Sequence, residues 1–273
     1  MLKMVFLFSI FFNLAYAQED FTAAEAALLK TDALRGWQKR DDQQSLEEAL
    51  SKFEKVHETN PGDLAIVTYL VRGYYLLGDH HQTNEDFKKR SFEKAVAYGR
   101  RGLNTNPEYR KHSEDDIEKA ISKVTEKEVP VLYWTAASLG KWSKLNGIMS
   151  SLKYKDEILG MIKQVEKLQP DYFYGAVPRY WGSFYAIAPG IAGGDMDKSK
   201  RKFREAIEKA PEYLANRVLY AELYLVKRGD KKEFKSQLNE VLVAPKGPKE
   251  IEPENLLEKR KAEKLLEKKD DLF

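Results

Sequence analysis

PRYWGSFYAIAPGIAGGDMDKSKRKFREAIEKAP, residues 178–211, is the stretch whose reading decides the fold. Its first half is apolar or aromatic on every side, and a helix without a polar face is buried or lines a cavity. A tight turn follows at Ala188-Pro189-Gly190-Ile191-Ala192-Gly193-Gly194-Asp195. Asp195 is placed to cap the next helix, with Asp197 near its positive end. That helix is amphipathic and closes on Phe203, Ala206 and Pro211. Pro178 fits the first turn of the apolar helix, where its missing N–H costs nothing.

The closing pattern recurs. Ser199, Phe203, Ala206 and Pro211 share their offsets with Ala49, Phe53, Val56 and Pro61, with Ala95, Gly99, Gly102 and Pro107, and with Ile158, Ile162, Val165 and Pro170. Offsets of three and four keep the residues on one helix face. The small members let a partner helix approach, and proline ends the unit because it cannot continue the helix. The pattern predicts an all-α chain of about four tetratricopeptide-like hairpins and a C-terminal capping helix. The four prolines stand 46, 63 and 41 residues apart, longer than the usual repeat of about 34. The excess falls in polar stretches near 79–90, read as a loop leading into a helix start, and 108–128, of which 112–128 reads as an exposed charged helix. No segment alternates at period two, so no sheet is expected. Helices are expected near 129–148, 173–188, 195–209 and 253–268, among others.

Bulk properties narrow the function. The 273 residues carry 46 Lys and Arg against 43 Asp and Glu, interspersed, and no cysteine. Nucleic acid is therefore a poor partner, and disulfides and thiolate metal sites are excluded. Lys3, an apolar run over Met4–Leu14 and Ala15-Tyr16-Ala17 read as a cleavable secretory signal over residues 1–17. Residues 18–273 are then a single exported helical domain, expected in a bacterial periplasm, without the cysteine that a lipid anchor would need.

Catalytic signatures are missing. His80-His81 sits in a polar stretch and reads as solvated rather than metal-binding, and Gly193-Gly194 lacks the residues of a phosphate loop. No cofactor and no enzyme activity is expected. The distinctive chemistry is aromatic: the helix at 129–148 carries Tyr133 and Trp134, and the one at 173–188 carries Tyr174, Arg179, Trp181 and Tyr185. These side chains either pack on one another or line an apolar cavity in which the tyrosine and tryptophan tips, with Arg179, orient a carboxylate.

The segments PRYWGSFYAIAPGIAGGDMDKSKRKFREAIEKAP, VLYWTAASLGKW and LQPDYFYGAVPRYWG, with the tail from RVLYAELYLV to Asp271-Leu272-Phe273, resemble the T components (TatT) of tripartite ATP-independent periplasmic (TRAP) transporters. The likeness is specific over about 130–273 and generic over 45–107. It implies helical hairpins around a pore-like hydrophobic cavity and a capacity to form trimers. It also implies binding to the transporter's substrate-binding P protein, with a hydrophobic or carboxylate ligand relayed to it. An exported scaffold that binds only protein is the alternative.

Overall fold

The structure, a computed structural model, describes residues 23–273; the expected signal at 1–17 lies outside them. The described chain is helical and contains no strand, the all-α class that the periodicity predicts. Helix α1 (Ala23–Trp37) pairs with α2 (Gln43–Thr59), and α3 (Leu64–Leu76) with α4 (Glu85–Leu103). Two short helices follow, α5 (Pro107–Arg110) and α6 (Ile117–Ser122). Then α7 (Val129–Leu145) pairs with α8 (Ile148–Leu168), and α9 (Ala176–Ile187) with α10 (Met196–Lys209). Helix α11 (Ala215–Leu219) runs through a π-helical segment, Tyr220–Leu225, into α12 (Val226–Arg228) and packs with α13 (Lys231–Val243). Helix α14 (Glu252–Glu267) lies against α11 and α13, and α15 (Lys269–Leu272) follows.

The helical positions of the four matching segments are all buried: Ala49, Phe53 and Val56 on α2; Ala95, Gly99 and Gly102 on α4; Ile158, Ile162 and Val165 on α8; Ser199, Phe203 and Ala206 on α10. The small residues mark close approaches. A Cβ on Gly99 would stand 1.9 Å from Thr135 Oγ1 on α7, and one on Gly182 of α9 would stand 2.8 Å from the Phe203 ring on α10. Asp195 caps α10 as expected, accepting from the backbone N–H groups of Asp197 and Lys198. Pro178 is the third residue of α9, inside its first turn.

Three expectations are corrected. Residues 112–128 do not form one exposed helix. Asp116 caps the six-residue α6, and a Thr125–Glu128 capping box starts a new turn that leads into α7. Ala120, Ile121 and Val124 pack into the core from this segment. The stretch after α3 is not a solvated loop, because α3 continues as a π-helical turn, Leu77–His81, that carries His80 inward. Helix α9 starts at Ala176 rather than 173, because Phe173, Tyr174 and Gly175 are all left-handed, with φ of 42°, 51° and 72°. Two bulky non-glycine residues in that region are uncommon and strained. Tertiary bonds hold them there: the Tyr174 carbonyl accepts from Arg179 Nη1 at 2.9 Å and Asn216 Nδ2 at 3.3 Å.

Gly99→Ala therefore costs about 2 kcal/mol, the overpacking penalty exceeding the helix-propensity gain of about 1 kcal/mol. Urea unfolding of Gly99→Ala, Thr135→Ala and the double variant checks this. More than half of the loss is recovered in the double variant, and additive losses would show that the α4–α7 approach is not the cause.

Candidate functional site

Helices α3, α7, α9, α11 and α14 converge on a small inner cavity of about 30 Å³. That is room for one or two water molecules. Tyr75, Tyr133, Trp134 and Tyr213 supply aromatic walls, and Asp79, His80, Arg179, Glu254 and Glu258 supply charge and hydrogen-bonding groups. The middle of the bundle is thus polar as well as aromatic. The sequence reading of a hydrophobic cavity captures only its aromatic half.

Each charge has a traceable origin. Arg40, fully buried, donates from Nε to Glu254 Oε1 at 3.1 Å, and Arg72 donates from Nη2 to both Glu254 oxygens at 2.5 and 2.6 Å. Arg72 also lies 4.4 Å from the Phe173 ring centroid and 5.4 Å from those of Trp37 and Trp134, a cation sandwiched by aromatic faces. Burial pushes the Glu254 carboxyl up, but Arg72 and Arg40 outweigh it and hold it below the usual carboxylate range. On the opposite wall Asp79 accepts from Lys141 Nζ at 2.5 Å. Burial again opposes the charge, and Lys141 and Lys261 again win, keeping Asp79 well below its ordinary value.

Glu258 differs. Its Oε1 lies 3.5 Å from His80 Nε2, and its Oε2 is buried with no partner. Burial pushes its carboxyl up to about 7, against the pull of Lys261 and helped by Asp79 and Glu222. Burial likewise lowers His80 to about 4, more than Asp79 raises it. The His80 contacts with Asp79 and Glu258 are therefore those of a neutral imidazole.

The six aromatic-site candidates separate. Tyr133, Trp134 and Arg179 meet at the cavity. Arg179 is already engaged there, donating to the Tyr174 carbonyl, to Asn216 Oδ1 at 2.8 Å and to the Tyr133 hydroxyl at 3.2 Å, and lying 4.7 Å from the Tyr213 centroid. Tyr174 lies outside the cavity. Its ring stacks on Tyr213 at 5.7 Å and 19°, its hydroxyl donates to the Glu250 carboxylate, and it lines an outer groove of about 270 Å³ with Asp171, Lys209 and Glu212. Trp181 and Tyr185 stack on each other at 5.8 Å farther along α9, with the Trp181 indole donating to Glu166 Oε2 at 3.0 Å; neither touches the cavity.

Sequence reasoning missed Arg72, Asp79, Glu254 and Glu258. Arg72 had a signal, since it interrupts the apolar run LAIVTYLVRGYYLLG. So did Glu254 and Glu258, which stand four apart on one face of α14. The C-terminal helix, expected as a cap, buries Glu254, Asn255 and Glu258 beside Leu257.

The fold and site define an all-helical architecture: hairpins around an aromatic and charged interior, with no group of three or more metal-ligating side chains placed to hold a metal among the described residues. Residues 78–273 match the family model of the TRAP transporter T-component, and the chain belongs to that family. The family is an accessory of a transporter, which associates this protein with TRAP transport. The matched residues include Asp79, His80, Tyr133, Trp134, Arg179, Tyr213, Glu254 and Glu258, and leave out Arg40, Arg72 and Tyr75. An uncharacterized protein of Treponema pallidum (strain Nichols) is 26% identical over 223 residues, 71% of this chain and 68% of that one.

Glu258 makes stability depend on pH with a definite sign. A carboxyl raised to about 7 from 4.5 favours the folded state while protonated. Its contribution is full below pH 4.5 and is lost as pH rises through 7. Asp79 and Glu254, depressed, act in the opposite direction and at more acid pH. Glu258→Gln should therefore remove a fall on the order of 3 kcal/mol between pH 4.5 and 7.5. Urea unfolding at stepped pH checks it; parallel profiles for wild type and variant would refute the assignment.

Proposed function

We propose that the protein acts in the periplasm as a tetratricopeptide-like component of a TRAP-type uptake system, docking the substrate-binding P subunit and relaying a small ligand through its interior. Membership of the T-component family carries this reading. The groove beside Tyr174 and the cavity behind Tyr213, separated by one pair of stacked rings, support a route for the ligand. Self-association into a trimer is part of the proposal, drawn from the family resemblance.

One observation favours the second reading, a protein-binding scaffold without a ligand: the inner cavity holds only about 30 Å³. A relay therefore requires the Tyr174–Tyr213 stack to part.

Co-expression of the full chain with the P subunit of its transporter tests both readings. A co-eluting complex is expected, and mass spectrometry of an organic extract of that complex should recover a small molecule at near one per chain. A complex without a small molecule establishes the scaffold reading, and two proteins that elute separately overturn the docking.

A further inference from the structure

The resemblance suggests a carboxylate ligand, but the buried polar atom of the cavity lining that lacks a partner is itself an acceptor, Oε2 of Glu258. Arg179, the residue suited to a carboxylate, already donates to the Tyr174 carbonyl, the Asn216 side chain and the Tyr133 hydroxyl. The lining holds three acidic side chains, Asp79, Glu254 and Glu258. The first is matched by Lys141 and the second by two arginines. Glu258 lies beside the neutral His80 and has no lysine or arginine at ion-pair distance, Lys261 being 2.6 Å from Glu222. An incoming carboxylate would bring further acceptors to an atom that already lacks a donor. An incoming cation would supply what Glu258 lacks.

We propose that the inner cavity receives the ammonium group of a small organic amine, anchored on the unpartnered Oε2 of Glu258 and surrounded by the rings of Tyr75, Tyr133 and Tyr213. The proposal rests on the reading of the cavity as a ligand site and names the ligand's class.

Three features fit. Glu258 is 6% exposed, and its Oε2 is a buried acceptor without a donor, a state that is costly to leave unrelieved and more so for a charge. An ammonium head is a compact group with three donors, matched to a space of about 30 Å³. Aromatic faces beside a carboxylate attract an organic cation. A metal ion fits less well, since the described residues place no three metal-ligating side chains together. The carbon chain of the amine would extend past Tyr213 into the outer groove of about 270 Å³ once Tyr174 moves aside.

Isothermal titration of the full chain with n-butylamine and putrescine, against butyrate and butanol, tests this. Both amines are cations at pH 6 and at pH 8.5. At pH 8.5 they should bind at least about tenfold more tightly than butyrate or butanol. At pH 6, where Glu258 holds its proton, amine binding should release about one proton per chain, and at pH 8.5 close to none. Heats measured in buffers of different ionisation enthalpy read this on the wild-type chain. Glu258→Gln should weaken amine binding about tenfold or more and abolish the proton release while the helical circular dichroism is kept. Should that variant fail to fold, the wild-type proton count decides alone. Equal binding by Glu258→Gln, or no proton release at pH 6, overturns the proposal. Binding of butyrate or butanol without the amines overturns the ammonium assignment and leaves the ligand site standing. Silence from all four compounds removes both.

Discussion

A carboxylate near one end of the chain holds two arginines near the other. Glu254 on α14 meets Arg40, which follows α1, and Arg72 on α3, across 214 and 182 residues of sequence. All three groups would be costly alone in the interior. Removing Glu254 leaves both arginines buried without their carboxylate, a loss of about 3–5 kcal/mol. The constraint is therefore mutual: α14 must lie where it does for the first two hairpins to keep their arginines inside. A stack of hairpins in which each touches only its neighbours has no such closure. Here Arg40 also donates to the Glu250 carbonyl, and Arg260 reaches back to Asp41, so the end helix is fastened to the first hairpin as well as to its own neighbours.

That closure gives the aromatic residues their arrangement. Arg72 presents its guanidinium to Trp37, Trp134 and Phe173 at once, and so fixes the distance between α3, α7 and the turn before α9. Arg179 does the same for Tyr133, Tyr213 and the Tyr174 carbonyl. The rings are thus spaced by cations rather than by rings alone. This explains why an interior rich in tyrosine and tryptophan also holds so many ionised groups, and why its free space is small.

The helical phase was legible in the sequence because it rests on local chemistry. The small and apolar residues at fixed offsets lie on buried faces, the prolines that follow them are exposed, and Asp195 caps the helix it precedes. The site was legible only in part. Tyr133, Trp134 and Arg179 follow from helix periodicity and reach the cavity, whereas Trp181 and Tyr185 lie on the same helix as Arg179 but pack elsewhere. No local rule reveals that Glu254 is compensated and Glu258 is not, because the compensating charges come from distant segments. Nor does any rule for L-residues place Phe173 and Tyr174 in the left-handed region. Asn216 and Arg179, downstream of both, impose it.

That turn bears on how a filled interior can be reached. Each non-glycine residue held left-handed costs of order 1–3 kcal/mol, which the bonds to the Tyr174 carbonyl must offset. Rotating the Tyr174 side chain outward would break its stack with Tyr213 and its bond to Glu250 and leave the bonds to its carbonyl in place. The helices on either side need not move, since α9 starts only at Ala176 and its first turn contains the fixed Pro178. That rotation is what the proposed relay asks of the wall between groove and cavity. On the proposed relay, the frame closed by Glu254 would keep the charges paired while the Tyr174 ring turns aside.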